Sequence, residues 1–171
     1  MRRLLCGILI LGLFAAPAAA QSQQKSNAPF AGLSATSEGR LDWQMSKVIF
    51  SNWEGEEYDN SFPPVEWPSP MRTRATELTV TIQTAEVPDS VGIRMWKELR
   101  SNGIPKGKRR DMQCYLDADP GECALRPTVS GDELAWNVVF EPSWRGRIYL
   151  ATSAQWPQGQ VAWINHAILK K

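Results

Sequence analysis

The fold is decided by the stretch LTVTIQT at residues 78–84, in which apolar and polar residues alternate strictly. Leu78, Val80 and Ile82 fall on one face of an extended chain, and the polar residues between them fall on the other. This alternation is typical of a strand with one face on a core and one face in water. The stretch therefore predicts a sheet with one buried face.

Similar alternation recurs later in the chain and predicts further short strands. These strands are predicted at residues 91–96, 134–140, 147–152 and 161–168, with less regular candidates at 43–50 and 112–116. In the predicted strand at residues 134–140, the row expected to face inward is Leu134, Trp136, Val138 and Phe140. Turn signals separate these strands, and no long amphipathic helix competes with them. The proline-rich residues 62–70 are predicted to form an edge strand or an extended lead-in, because proline removes ladder donors. About seven short strands in a chain of this size predict an all-β, antiparallel β-sandwich.

Three features of residues 76–168 carry a resemblance to a known fold. They are the strand at 78–84, the row Trp136, Val138 and Phe140 followed by WRGRIYL at 144–150, and the predicted hairpin around 156–159. In these features the chain resembles an immunoglobulin-like or fibronectin type III-like domain. The cysteines depart from the antibody pattern, because they lie close together rather than in the two strands bridged across the sheets. The resemblance implies a fold and assigns no functional residue, since such sandwiches serve adhesion, ligand binding and spacing alike.

The first 20 residues have the pattern of a secretory signal peptide. Arg2 and Arg3 precede an apolar run from Leu4 to Ala16, and Pro17 with three alanines follows it. We therefore expect cleavage before Gln21. An uncleaved anchor is the alternative, but the run is shorter than the roughly 20 residues of a spanning helix. We expect no stable membrane anchor and an exported protein, periplasmic or secreted, of a bacterial cell.

The remaining chain is expected to form a leader and a single domain. Residues 21–40, rich in Gln, Ser, Ala and Gly, are predicted to be a flexible leader, and residues 41–171 a single domain. The full chain has 19 basic and 18 acidic residues, so that loss of Arg2 and Arg3 leaves a net charge of −1. A surface this close to neutral argues against nucleic acid as a partner.

Cys114 and Cys123 are the two cysteines that follow the signal peptide, and they predict a disulfide in an oxidising compartment. Asp-Pro-Gly at residues 119–121 predicts a turn between them. A redox-active thiol pair is the alternative, but the C-x-x-C spacing of such pairs is absent. The prediction is a structural bridge that closes a short loop.

Motifs for chemistry are nearly absent. His166 is the single histidine and shares its predicted strand face with apolar residues, which favours a packed position over a catalytic one. No Gly-x-Ser-x-Gly or phosphate-binding loop occurs, and we predict no cofactor. Asp117, Asp119 and Glu122 form a weak calcium candidate, although a solvated turn explains them more simply. A hydrolase with paired carboxylates stays open, because such a pair is defined by a distance in space.

Charge clusters and tryptophans are the remaining candidates for recognition. The basic run at 106–110 and the acidic run at 54–59 are predicted to be solvated loops, although the basic one could bind an anionic polymer such as teichoic acid or lipopolysaccharide. Of the eight tryptophans, four lie beside Gly, Pro or charged residues and are the candidates for a ligand-binding surface. These are Trp53, Trp67, Trp144 and Trp156. The interpretation that we favour is that these rings cap the open ends of a small sandwich, and recognition is the alternative. Trp156 and Trp144 are expected to mark two separate surfaces.

The sequence thus predicts a non-enzymatic binding or structural module of the cell envelope. Its partner is open among an envelope polymer, a glycan and another exported protein. A carbohydrate-binding module that uses exposed tryptophans is one alternative, and an unrecognised hydrolase is another.

Overall fold

The computed structural model describes residues 28–119 and 121–170, and this part of the chain consists of β-strands joined by turns and loops. Its twelve strands are β1 (Phe30–Ser37), β2 (Arg40–Met45), β3 (Lys47–Trp53), β4 (Glu56–Asp59), β5 (Met71–Thr73), β6 (Leu78–Gln83), β7 (Ser90–Leu99), β8 (Pro105–Tyr115), β9 (Cys123–Ser130), β10 (Glu133–Phe140), β11 (Gly146–Trp156) and β12 (Gly159–Leu169). The all-β class predicted from the alternation is confirmed. Within these residues no helix has the length and apolar character needed to cross a membrane.

All twelve strands belong to one curled sheet. Its order is β2-β1-β6-β10-β9-β8-β7-β11-β12-β3-β4, with β5 paired to β12 off this path. Most neighbours are antiparallel, but β8 pairs with β9 and β5 pairs with β12 in parallel. The sheet therefore has two halves, β2-β1-β6-β10-β9 and β8-β7-β11-β12-β3-β4, which meet at the β8–β9 pairing.

This architecture does not confirm the prediction of an immunoglobulin-like sandwich. A sandwich has two separate sheets, whereas here the pairing of Cys114 with Cys123 and Tyr115 with Ala124 joins both halves through hydrogen-bonded neighbours. The sequence could not reveal this join, because a pairing of two residues leaves no periodic pattern. The structure supports a β-rich fold with a curled, mixed sheet.

One hydrophobic core fills the inside of the curl. Its largest buried side chains include Trp156, Trp163, Phe140, Leu33, Leu78, Ile82, Ile93, Met95, Ile148, Leu150 and Leu169. The predicted inward row of β10 is buried at Val138 and Phe140 and half-buried at Trp136. Leu134 departs from the prediction, because it pairs with Val129 near the tip of the β9–β10 hairpin and both side chains are exposed. This tip extends beyond the core.

Strand β1 lies within the segment predicted to be a flexible leader. Its Ala31, Leu33 and Ala35 are buried in the core, so the prediction is wrong for the described part of residues 21–40. The chain turns from β1 to β2 through Glu38 and Gly39, both at positive φ, as a two-residue hairpin turn requires. The pattern of the sequence does not predict this strand, because its many alanine, glycine and serine residues make the alternation of apolar and polar side chains weak. The predicted signal peptide and residues 21–27 lie outside the described residues.

A polar junction holds β2 to β12 across the curl. The backbone of His166 lies between the end of the β3 pairing at Ile164 and the start of the β5 pairing at Ala167. The Gln44 side chain fills this gap, since its Oε1 accepts from the His166 amide and its Nε2 donates to the His166 carbonyl, both at 3.2 Å. Gln44 Oε1 also accepts from the buried Asn165 at 3.0 Å. A side-chain amide thus replaces a strand partner at this point.

A proline-rich strap, Ser61–Pro70, crosses the outer face of the second half. Its backbone amide at Val65 donates to the Asn102 carbonyl at 3.0 Å, and Trp67 Nε1 donates to the Gly103 carbonyl at 2.8 Å. Gly103 has φ of 80°, and a Cβ at this residue would overlap the Val65 carbonyl oxygen. The predicted extended segment is therefore a fixed cover over β11 and β12.

The disulfide between Cys114 and Cys123 is present as predicted. Both cysteines are buried, at 5% and 3% exposure, and their Cα atoms are 4.5 Å apart across the β8–β9 pairing. The bridge therefore links the two halves of the sheet at the two-residue β8–β9 pairing that joins them.

Breaking this bridge is expected to lower the free energy of unfolding by roughly 2.5 kcal/mol, because a ten-residue loop is then free in the unfolded chain. Urea unfolding with and without dithiothreitol measures the loss. The Cys114→Ala, Cys123→Ala double variant is the control, since its stability should not respond to the reductant. An equal urea midpoint for oxidised and reduced wild-type protein would contradict this role.

Candidate ligand-binding surfaces

Two of the four tryptophans that are candidates for a ligand surface close one end of the core. Trp156 is 2% exposed and makes edge-to-face contacts with Trp53 at 5.2 Å and with Trp163 at 6.4 Å between ring centroids. Its Nε1 donates to the Glu86 carbonyl at 3.2 Å. Trp53 is half-buried against the same core. These rings match the interpretation favoured from the sequence, in which tryptophans cap an open end.

Trp67 lies in the strap and packs edge-on against Tyr149 at 5.1 Å. Tyr149 in turn stacks on His166, with ring centroids 4.5 Å apart. Burial lowers the pKa of His166 below its usual 6.5, and Arg147 and Arg72 lower it further, whereas a hydrogen bond to the strap backbone at Pro68 raises it. His166 is therefore a packed residue beneath the strap.

Acidification is expected to destabilise the protein through His166. The pKa of His166 in the folded protein lies below 6.5, so the unfolded chain binds this proton at a higher pH than the folded protein does. The contribution of His166 to the free energy of unfolding is therefore fully present above pH 6.5, and it is lost as the pH falls from 6.5 through the folded pKa. Urea unfolding at about pH 7.5 and about pH 5.5 measures the loss. His166→Phe keeps a ring on Tyr149 but cannot titrate, so its loss should be smaller. An equal fall in both proteins would show that other groups cause it.

Trp144 has the surroundings of a binding residue. It lies in the loop before β11, packs partly against the core, and has Lys97 Nζ 5.3 Å from its ring centroid. A surface cleft of about 290 Å³ opens beside the ring, and we call it the Trp144 cleft. Its lining residues are Lys97, Glu98, Lys106, Gly107, Lys108 and Trp144. Three lysines thus line the same cleft as one half-buried indole, although only Lys106 and Lys108 belong to the basic run.

A β-bulge shapes the Trp144 cleft. The register of β7 and β8 pairs Trp96 with Arg109 and then Glu98 with Lys106, so that two residues of β8 stand opposite Lys97. One of these is Gly107, whose φ of 79° is typical of a glycine bulge. Bulges redirect neighbouring side chains and are common beside functional sites. The bulge brings Lys108 to the cleft together with Lys97.

The two charged runs lie in strands rather than in the predicted loops. Residues 106–110 belong to β8, and in the acidic run Glu54 and Gly55 form a hairpin turn while the next four residues form β4. Acidic side chains on β4, which ends the sheet, discourage pairing with another chain. One partner of the basic run is Glu98, which contacts Lys106 at 3.2 Å.

The three carboxylates of the weak calcium candidate do not form a metal-binding group. Asp117, Asp119 and Glu122 are all exposed, and Glu122 Oε2 accepts from the backbone amide of Asp119 at 3.3 Å. Throughout residues 28–119 and 121–170, no three His, Cys, Asp or Glu side chains are placed to hold a metal ion. The Glu122 carboxylate thus accepts a backbone hydrogen bond within the turn.

A larger cleft of about 670 Å³ lies between the start of β1 and the β3–β4 hairpin. Its aromatic walls are Phe30 and Tyr58, but Glu56 and Glu57 also line it. These carboxylates would repel an anionic polymer. The Trp144 cleft is therefore the better candidate for such a ligand.

Sequence reasoning missed an exposed apolar row on β2. Leu41, Trp43 and Met45 alternate along β2 and are 65%, 57% and 52% exposed, and Phe30 on β1 is 54% exposed. Alternation predicts one apolar face but does not say whether it faces the core. Here the polar Gln44 faces β12, and the apolar row therefore faces outward.

Comparison of the chain with protein-family models, curated proteins and solved structures finds no match in any of the three. The arguments below therefore rest on the residues and their geometry.

Proposed function

We propose that this protein is an exported, non-catalytic binding module of the bacterial cell envelope, and that the Trp144 cleft binds an anionic, sugar-containing polymer. The observation that carries the proposal is that Lys97, Lys106 and Lys108 line one cleft with Trp144, and that Lys97 Nζ lies 5.3 Å from the centroid of its ring. The signal-peptide pattern of residues 1–20 and the Cys114–Cys123 bridge support the exported assignment.

The cleft offers two complementary kinds of contact. Lysine ammonium groups attract carboxylate, phosphate or sulfate groups, and one glutamate, Glu98, offsets part of their charge. The partly exposed indole offers a flat apolar surface to the C–H face of a sugar ring. A basic run without a nearby aromatic residue is weak evidence for recognition, and Trp144 supplies the aromatic from a distant part of the sequence.

Polygalacturonate is a suitable test ligand because it combines sugar rings with carboxylates. We expect calorimetry to detect binding that weakens with added salt, since surface charges are screened at high ionic strength. Trp144→Ala and the Lys97→Ala, Lys108→Ala pair should each weaken binding by roughly tenfold, the size of about 1.4 kcal/mol of lost contact.

Matched controls separate recognition from packing. Lys170→Ala removes an exposed cation elsewhere on the molecule and should bind like the wild type. Trp144→Phe keeps a ring against the core, and a melting curve for each variant shows whether the fold is intact. The proposal fails if polygalacturonate does not bind, or if folded Trp144→Ala and lysine variants bind it as well as the wild type.

A further inference from the structure

The first half of the sheet has an outer face with an unusual composition, which we call the uncharged face. Alternation and the strand registers place on it Leu41, Trp43 and Met45 of β2, Phe30, Gly32, Ser34 and Thr36 of β1, Thr79, Thr81 and Gln83 of β6, and Ala135, Asn137 and Val139 of β10. None of these residues is charged. On the same side, Arg126 and Glu133 occupy only the β9–β10 margin.

The corresponding face of the second half differs sharply. Beside uncharged residues such as Trp96, Ala151 and Ser153, its outward positions carry four charged ones, Arg94, Arg109, Asp111 and Arg147. Charged side chains are common on strands that face water. The uncharged face instead combines large exposed apolar residues with short hydroxyl and amide side chains. Contiguous exposed apolar residues usually mark an interaction site.

Trp43 lies against the uncharged face rather than projecting from it. Its Nε1, Cε2 and Cζ2 atoms lie over Gly32, so close that a Cβ on this glycine would come within 2.8–3.2 Å of them. Glycine at this position lets the indole lean across β1. The exposed ring is thus supported by the sheet beneath it.

The neighbouring polar groups are also held in place. Thr81 Oγ1 donates to Asn137 Oδ1 at 2.7 Å, and this bond fixes the orientation of the amide. Ser34 and Thr79 lie in the next row, beside Trp43 on adjacent strands. The ring therefore borders an array of short hydrogen-bonding side chains on a rigid sheet.

We propose that the uncharged face binds a neutral polysaccharide chain, with Trp43 as the stacking residue. A sugar chain offers apolar C–H faces to the indole and hydroxyl groups to the threonine and asparagine side chains, and a neutral one needs no charged partner. Strand addition by a second protein is disfavoured, because Gln44 already joins the outer edge of β2 to β12. This site is separate from the Trp144 cleft, which lies on the other half of the sheet.

The test is retention of the purified exported protein on three neutral polysaccharides, namely suspended cellulose, suspended chitin and immobilised dextran. We expect retention on at least one of them, and it should persist in about 0.5 M NaCl because no ion pair contributes. Trp43→Ala should reduce the affinity roughly tenfold or more, the scale of one lost aromatic contact. Gly32→Ala should also weaken it, since the new methyl group displaces the ring.

Phe62→Ala is the matched control, because it removes an aromatic ring that is 71% exposed on the strap, outside both proposed sites, and its retention should equal that of the wild type. Failure of the wild type to bind all three polysaccharides would overturn the proposal. Equal retention of wild type and a folded Trp43→Ala variant would overturn it as well. Light scattering that finds a dimer, dissociated by Trp43→Ala, would assign the face to a second copy of the chain instead.

Discussion

Trp156→Ala is expected to lower the free energy of unfolding by about 3–5 kcal/mol, the usual cost of deleting a large buried aromatic side chain. The ring is 2% exposed and contacts both Trp53 and Trp163 edge-on. Its loss would open a cavity at the end of the core and leave the Glu86 carbonyl without its indole donor. Urea unfolding followed by far-ultraviolet circular dichroism measures the change.

Trp43→Ala is the matched control, because it truncates a tryptophan that is 57% exposed on the same sheet. We expect it to cost no more than about 1 kcal/mol, as surface substitutions usually do. A loss of less than 1 kcal/mol for Trp156→Ala as well would show that the end of the core is not closed by these rings.

Gln44→Ala is expected to lower the free energy of unfolding by about 3 kcal/mol, since each buried polar group left without a partner costs about 1–3 kcal/mol. The backbone of His166 and the fully buried amide of Asn165 would lose the bonds that Gln44 now makes. A bond from Gln44 to the Ser69 carbonyl would be lost too, which loosens the strap. Thermal and urea unfolding report the stability.

Gln113→Ala provides the comparison, because Gln113 is an exposed glutamine on strand β8. Its truncation should change stability by no more than about 0.5 kcal/mol. Hydrogen exchange gives an independent readout, since the His166 amide should exchange faster in Gln44→Ala alone. Equal stabilities for the two variants would mean that Gln44 does not hold β2 to β12.

The strand content of the protein could be predicted because burial on one face leaves a period of two in the sequence. Residues 78–84, 91–96 and 134–140 were predicted from this pattern, and β6, β7 and β10 occupy them. Strand β1 escaped prediction because alanine, serine and glycine carry little hydrophobic contrast. The curl of the sheet could not be predicted either, because the β8–β9 pairing that joins its halves involves only two residue pairs and leaves no periodic pattern in the sequence.

The candidate sites were predictable only in part. The sequence makes Trp144 a candidate because a charged residue follows it, but its neighbour Lys97 is 47 positions away and meets it only through packing of the β10–β11 loop on β7. The sequence makes Trp156, at the predicted hairpin, a candidate for recognition, whereas its side chain is buried in the core. Trp43 was overlooked because an alternating row does not reveal which side of a curled sheet it faces.

The most direct test of the central claim is a titration of ¹⁵N-labelled protein with polygalacturonate, followed through the indole Nε1–H signals. The account predicts that the Trp144 signal shifts with saturation, and that the signals of the buried Trp156 and Trp163 do not. A titration that leaves the Trp144 signal unmoved at saturating ligand, or that moves only other indoles, would contradict it.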